Sequence, residues 1–106
     1  MKRDELLQLQ QQLCAEAYTL MERKNHDYAG AGTDNPLANF EVVEALGITD
    51  TARGILTRMA DKFMRMTNFT VSGKFEVQSE SAADTTRDLI NYAVIWYAFM
   101  KKSGRV

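Results

Sequence analysis

The 106-residue sequence holds one cysteine, one histidine and one proline, and each scarcity removes a class of structure. With Cys14 alone, no intrachain disulfide forms and a four-thiolate zinc site is out of reach, which fits a reducing compartment. With His26 alone, a multi-histidine metal cluster within one chain is excluded. Any bound metal would then be held mainly by oxygen ligands, which points to Mg²⁺, with Mn²⁺ as the other candidate. Long apolar runs are missing too, so neither a secretory segment nor a membrane span is expected. The expectation is a cytoplasmic protein with no membrane partner. Charge of one sign is also lacking: 13 Lys and Arg against 14 Asp and Glu leave a formal −1. A chain without a basic footprint is not expected to bind nucleic acid directly.

What is present is helix-forming material. Hydrophobic residues make up 45% of the chain and charged residues 25%, enough to fold as one domain over 1–106 but small enough to favour an oligomer. Leu6, Leu9, Leu13, Ala17, Leu20 and Met21 recur at three- and four-residue spacing and predict an amphipathic helix from Arg3 to about Lys24. A loop is expected from Asn25 to Asn35. Asn35 and Pro36 then open a second helix carrying Leu37, Phe40 and Val43, which Gly47 ends. Thr49 or Asp50 caps a third, to about Asn68, with Ala52, Leu56, Met59, Phe63 and Met66 as its buried stripe. A connector follows over 70–78, with a short extended piece near Lys74 to Val77. Ser79 or Ser81 starts the last helix, Ser81 and Asp84 forming a capping-box variant, and it runs to about Lys101. Residues 103–106 read as a flexible tail. The fold class is therefore all-α, a small four-helix bundle.

Three groups of residues carry chemistry. Glu80, Asp84 and Asp88 repeat every four residues on one side of the last helix, a like-charge pattern that costs stability unless something compensates it. Arg87 can do so locally, and Arg58, Lys62 or Arg65 from the preceding helix. The sharper explanation is a hard divalent cation, with Asp61 supplying a carboxylate from the facing helix. Lys24 to Gly30, KNHDYAG, combines a cation, an amide, the sole imidazole, a carboxylate and an aromatic ring. Lys24 suits a phosphate, Tyr28 a stacked base, and Asn25 or His26 a base or sugar; the same residues also suit a plain loop whose polar groups make turn bonds. Asn39 and Asn91 sit beside apolar residues and either satisfy backbone or read a ligand.

The ordered blocks KNHDYAG, NPLANF, RMADKFMRMTNF and ESAADTTRDLINYA, over about residues 15–98, resemble the small phage and bacterial family called nucleotide modification associated domain 1, allied to the MazG-like all-α nucleotide pyrophosphohydrolases. That resemblance implies a homo-dimer or homo-tetramer whose facing-helix carboxylates hold Mg²⁺ and cleave a nucleoside triphosphate to monophosphate and pyrophosphate. It implies that Asp61, Glu80, Asp84 and Asp88 are the metal-binding and catalytic carboxylates. Lys24, Asn25, His26, Asp27, Tyr28, Asn39, Lys62, Arg65 and Asn91 would surround the nucleotide or deoxynucleotide. The MazG-like pattern places a Glu-x-x-Glu block before a Glu-x-x-Asp block, whereas this chain has Arg58-x-x-Asp61 and Asp84-x-x-x-Asp88. The leading expectation is a Mg²⁺-dependent pyrophosphohydrolase of deoxynucleotide metabolism. The alternative is a non-hydrolytic nucleotide sponge, sensor or accessory protein for DNA base modification.

Overall fold

Strong local start and stop signals frame the helices of this chain. The structure, a computed structural model, describes residues 1–29, 34–74 and 81–106, without the side chains of 26–29. Within them are α1 (Arg3–Ala29), α2 (Ala38–Ala45), α3 (Thr51–Ser72) and α4 (Ala82–Lys102), and no strand. The extended piece expected near Lys74 to Val77 lies almost wholly outside the described residues.

Local chemistry accounts for the helix ends. Asp50 caps α3 by accepting from the Arg53 N–H at 2.8 Å. Ser81 and Asp84 form a full reciprocal capping box at the start of α4, the Ser81 hydroxyl accepting from the Asp84 N–H and the Asp84 carboxylate from the Ser81 N–H. Gly47, at φ +73°, ends α2, with the Gly47 and Ile48 N–H groups donating back to the Glu44 and Val43 carbonyls. This Schellman turn needs a left-handed residue that only glycine supplies without strain. The same pairing closes α4, where Gly104 and Arg105 donate to the Lys101 and Met100 carbonyls, so part of the expected tail is a helix cap.

Three boundaries differ from the sequence expectation. α1 continues past Lys24 through Ala29, where Lys24 and Asn25 find tertiary partners that outweigh the modest helix propensity of the residues after them. α3 runs one turn beyond Asn68 to Ser72, ending at Gly73 in the left-handed region. Asn35 does not cap α2. Its Oδ1 instead accepts from the Leu37 N–H at 3.1 Å, an Asx-type turn that precedes the helix.

α4 is the central element, packed on α3 and on α1, and α2 bridges α3 and α1. Leu37, Phe40 and Ile55 form the apolar centre, with Met59, Tyr92, Ile95, Trp96 and Phe99 packed against it. The expected α3 stripe is rotated: Thr51 and Ile55 are buried, while Leu56 is exposed and Phe63 is 54% exposed. Two contacts set this rotation. Gly54 brings α3 so close to α2 that a Cβ there would lie 2.9 Å from Val43 Cγ2. Lys62, whose side chain is 14% exposed, points inward to Asp88. On α4 the polar side turns inward as well, with Thr85 and Asn91 buried, and Val94 and Tyr97 turn out.

Gly54→Ala tests the close approach. Alanine raises helix propensity by up to about 1 kcal/mol, but overpacking against a stiff β-branched side chain costs about 1–3 kcal/mol. Urea unfolding is expected to show Gly54→Ala destabilising the parent and stabilising a Val43→Ala background. Equal effects in both backgrounds would contradict the contact.

Candidate functional site

A cavity of about 790 Å³ opens between α1, the start of α2, α3 and α4. That is room for a nucleotide-sized molecule. Met21, Leu37, Phe40, Tyr92, Val94 and Ile95 give it largely apolar walls, and its polar lining includes Lys24, Asn25, Arg58, Asp88, Asn91 and Lys102. The Phe40 ring sits at its base, met edge-on by Tyr92 at 6.3 Å between centroids and covered by the Arg58 guanidinium at 4.7 Å. This is a cation–π arrangement.

Most charges around the cavity are committed. Asp88, with its side chain 13% exposed, takes Lys24 on Oδ1 at 3.3 Å and Lys62 on Oδ2 at 2.9 Å, tying α1 and α3 to α4. Lys102 donates to both Glu41 oxygens at 3.0 Å and to Asn35 Oδ1 at 3.2 Å, while Asn35 Nδ2 donates to Glu41 at 2.7 Å. Arg58 differs: among the described residues it has no carboxylate within ion-pair distance. Two amides complete the lining. Asn91 Nδ2 donates to the Ala17 carbonyl at 3.0 Å and Asn25 Nδ2 to the Pro36 carbonyl at 3.1 Å. Among the described residues, neither Oδ1 has a hydrogen-bond partner.

The expected site residues divide. Lys24, Asn25, Asp88 and Asn91 come together on the cavity wall. Lys62 stands behind it, joined through Asp88, and Arg65 lies further along α3, half-buried. Asn39 is half-buried on α2, away from the lining. His26, Asp27 and Tyr28 lie on the last turn of α1 with side chains outside the described residues, and Glu80 is outside them altogether. Arg58, Phe40, Tyr92 and Lys102 were not among the expected binding residues. The signal available for them was the pairing of an aromatic near the start of α2 with a cation on α3, which is visible only once those helices are packed.

Three of the four expected Mg²⁺ ligands, Asp61, Asp84 and Asp88, lie among the described residues. Asp61 is exposed on α3. Asp84 Oδ2 accepts from Ser81 and its Oδ1 from Arg87 at 2.7 Å, and Arg87 also reaches Glu16 at 2.8 Å. Both Asp88 oxygens hold ammonium groups. Among the described residues, no three His, Cys, Asp or Glu side chains gather as a ligand group.

Arg87, and after it the Ser81 hydroxyl and N–H, hold the Asp84 carboxyl below its ordinary range, and Asp84 with Glu16 raises the Arg87 guanidinium. The Asn35 amide and then Lys102 do the same to Glu41. No family model, curated protein or solved structure matches this chain. No described helix is long and apolar enough to cross a membrane.

The lowered Glu41 carboxyl sets a pH dependence. A carboxyl depressed in the folded state adds stability above its unfolded value, about 4, and that stability is lost as pH falls through the folded value. Glu41→Gln is expected to lose less melting temperature than the parent between about pH 5 and 3. Parallel profiles would show that the Asn35–Glu41–Lys102 cluster adds nothing.

Proposed function

We propose that the cavity binds a nucleotide and holds it without cleaving it, the sponge, sensor or accessory role that the sequence allows. The observation carrying this reading is Arg58, a half-buried cation with no acid partner among the described residues, set over an aromatic ring at the wall of a nucleotide-sized cavity. A phosphate supplies the missing anion through charge-assisted hydrogen bonds. The apolar walls cover the base and sugar, and the Oδ1 atoms of Asn25 and Asn91 accept from base N–H groups. Retention is favoured over hydrolysis because Asp84 and Asp88, the described last-helix carboxylates of the Mg²⁺-dependent scheme, already spend their oxygens on Ser81, Arg87, Lys24 and Lys62.

The protein is incubated with ribo- and deoxynucleoside mono- and triphosphates, with Mg²⁺ or with chelator, and bound and free species are separated by mass-resolved chromatography. Nucleotide that stays bound and intact in chelator is the expected result. Mg²⁺-dependent release of monophosphate and pyrophosphate would overturn retention in favour of a pyrophosphohydrolase. No bound nucleotide and no turnover would remove both.

The same proposal includes self-association into a homo-dimer or homo-tetramer. The accessible surface is 7704 Å², against about 6,000 Å² for a compact monomer of this mass. The surplus of about 1,700 Å² exceeds the ~800 Å² per partner of a standard interface. The radius of gyration, 15.5 Å, likewise exceeds the ~13 Å of a compact chain this long. A second copy is the occupant that fits, because large apolar side chains stand outward on both helices: Leu56 and Phe63 on α3 and Tyr97 on α4. Sedimentation equilibrium is expected to give an oligomer that Phe63→Glu with Tyr97→Glu reduces to monomer. A monomeric parent would overturn this part.

A further inference from the structure

Resting on the nucleotide reading, we infer that the cavity selects a nucleoside monophosphate over the di- and triphosphate when no divalent cation is present. The inference follows from the charge available to the ligand. Lys24 and Lys62 share Asp88, and Lys102 is held by both oxygens of Glu41. Arg58 is the cavity cation without a carboxylate among the described residues. Its guanidinium offers one planar fork of N–H donors, which matches two oxygens of one phosphate. A second and third phosphate would need further cations. Lys24 could serve only by leaving Asp88, which would then face the added anion from the same wall. Each further phosphate therefore brings charge that the site does not neutralise, and the Asp34 carboxylate in the same lining adds to it.

Arg58 is also prepared for the ligand. Its guanidinium already lies over the Phe40 ring, and among the described residues no ion pair has to break for phosphate to reach it. Affinity should therefore step up once, from nucleoside to monophosphate, and not again. The step expected from one charge-assisted fork is about tenfold to hundredfold.

Isothermal titration in chelator at low salt, with each nucleoside and its mono-, di- and triphosphate, tests this. The monophosphate is expected to bind at least about tenfold more tightly than its nucleoside, with the diphosphate and triphosphate each weaker than the monophosphate. Arg58→Gln is expected to abolish the step, so that monophosphate and nucleoside bind alike, and Arg58→Lys to restore part of it. A role for Arg58 only in packing Phe40 would lower nucleoside and monophosphate binding together, and that result would overturn the inference. A diphosphate or triphosphate that binds as tightly as the monophosphate, or more tightly, would overturn it too, while leaving the nucleotide reading standing. Failure of every nucleoside and nucleotide to bind the folded parent would overturn both.

Discussion

The Asp88 carboxylate is the point on which the arrangement of helices depends. One oxygen holds Lys24 of α1 and the other Lys62 of α3, so a single α4 side chain joins two helices that, among the described residues, do not pack directly on each other. With the Asp88 and Lys62 side chains largely withdrawn from water, neither would be stable there alone, because an uncompensated buried charge costs several kcal/mol. The triad thus fixes which face of α3 and which face of α4 look inward. Asn91, one turn further along α4, extends the same polar seam to the Ala17 carbonyl of α1.

A polar seam has a consequence for the apolar residues. Helices turned to bury Asp88, Lys62 and Asn91 must turn Phe63 and Tyr97 outward. The apolar centre is left at one end, around Leu37, Phe40 and Ile55, where α2 closes against α3 through Gly54. The cavity opens at the edge of that apolar cluster and borders the polar seam, which gives it both kinds of wall. Apolar enclosure and a charged rim come from the same compromise between hydrophobic packing and ion pairing.

This compromise also separates what could be read in the sequence from what could not. Helix starts and stops at Asp50, Ser81, Gly47 and Gly104 act within a few residues, and their signals survive any tertiary arrangement. The all-α class was legible from periodicity; Lys24, Asn25, Asp88 and Asn91 stood out by residue chemistry, but that they share one cavity wall, with Asp88 holding Lys24 and Lys62, comes only from the packing. The facing of α3 was not. Ala52, Leu56, Met59, Phe63 and Met66 make a valid amphipathic stripe, but so does the set containing Ile55, Met59 and Met66, and only the contacts with Val43 and Asp88 choose between them. Asp84 shows the limit differently. Its spacing from Asp88 suits a metal ligand, while its spacing from Ser81 suits a helix cap, and the described geometry uses the second.

Arg58 was the hardest residue to read because, among so many charged neighbours on α3, it looks like part of a solvated face. Its position over Phe40 changes its meaning. A guanidinium loses less by resting on an aromatic face than an ammonium would, since it is weakly hydrated and its plane can stack while its edge stays free to donate. The charge therefore persists at the cavity wall without a carboxylate paired to it among the described residues. A lysine at this position would gain less from the ring and offer a point charge in place of a fork. Charge held by a ring, and so left available along its edge, is the feature that distinguishes this cavity wall from the salt bridges surrounding it.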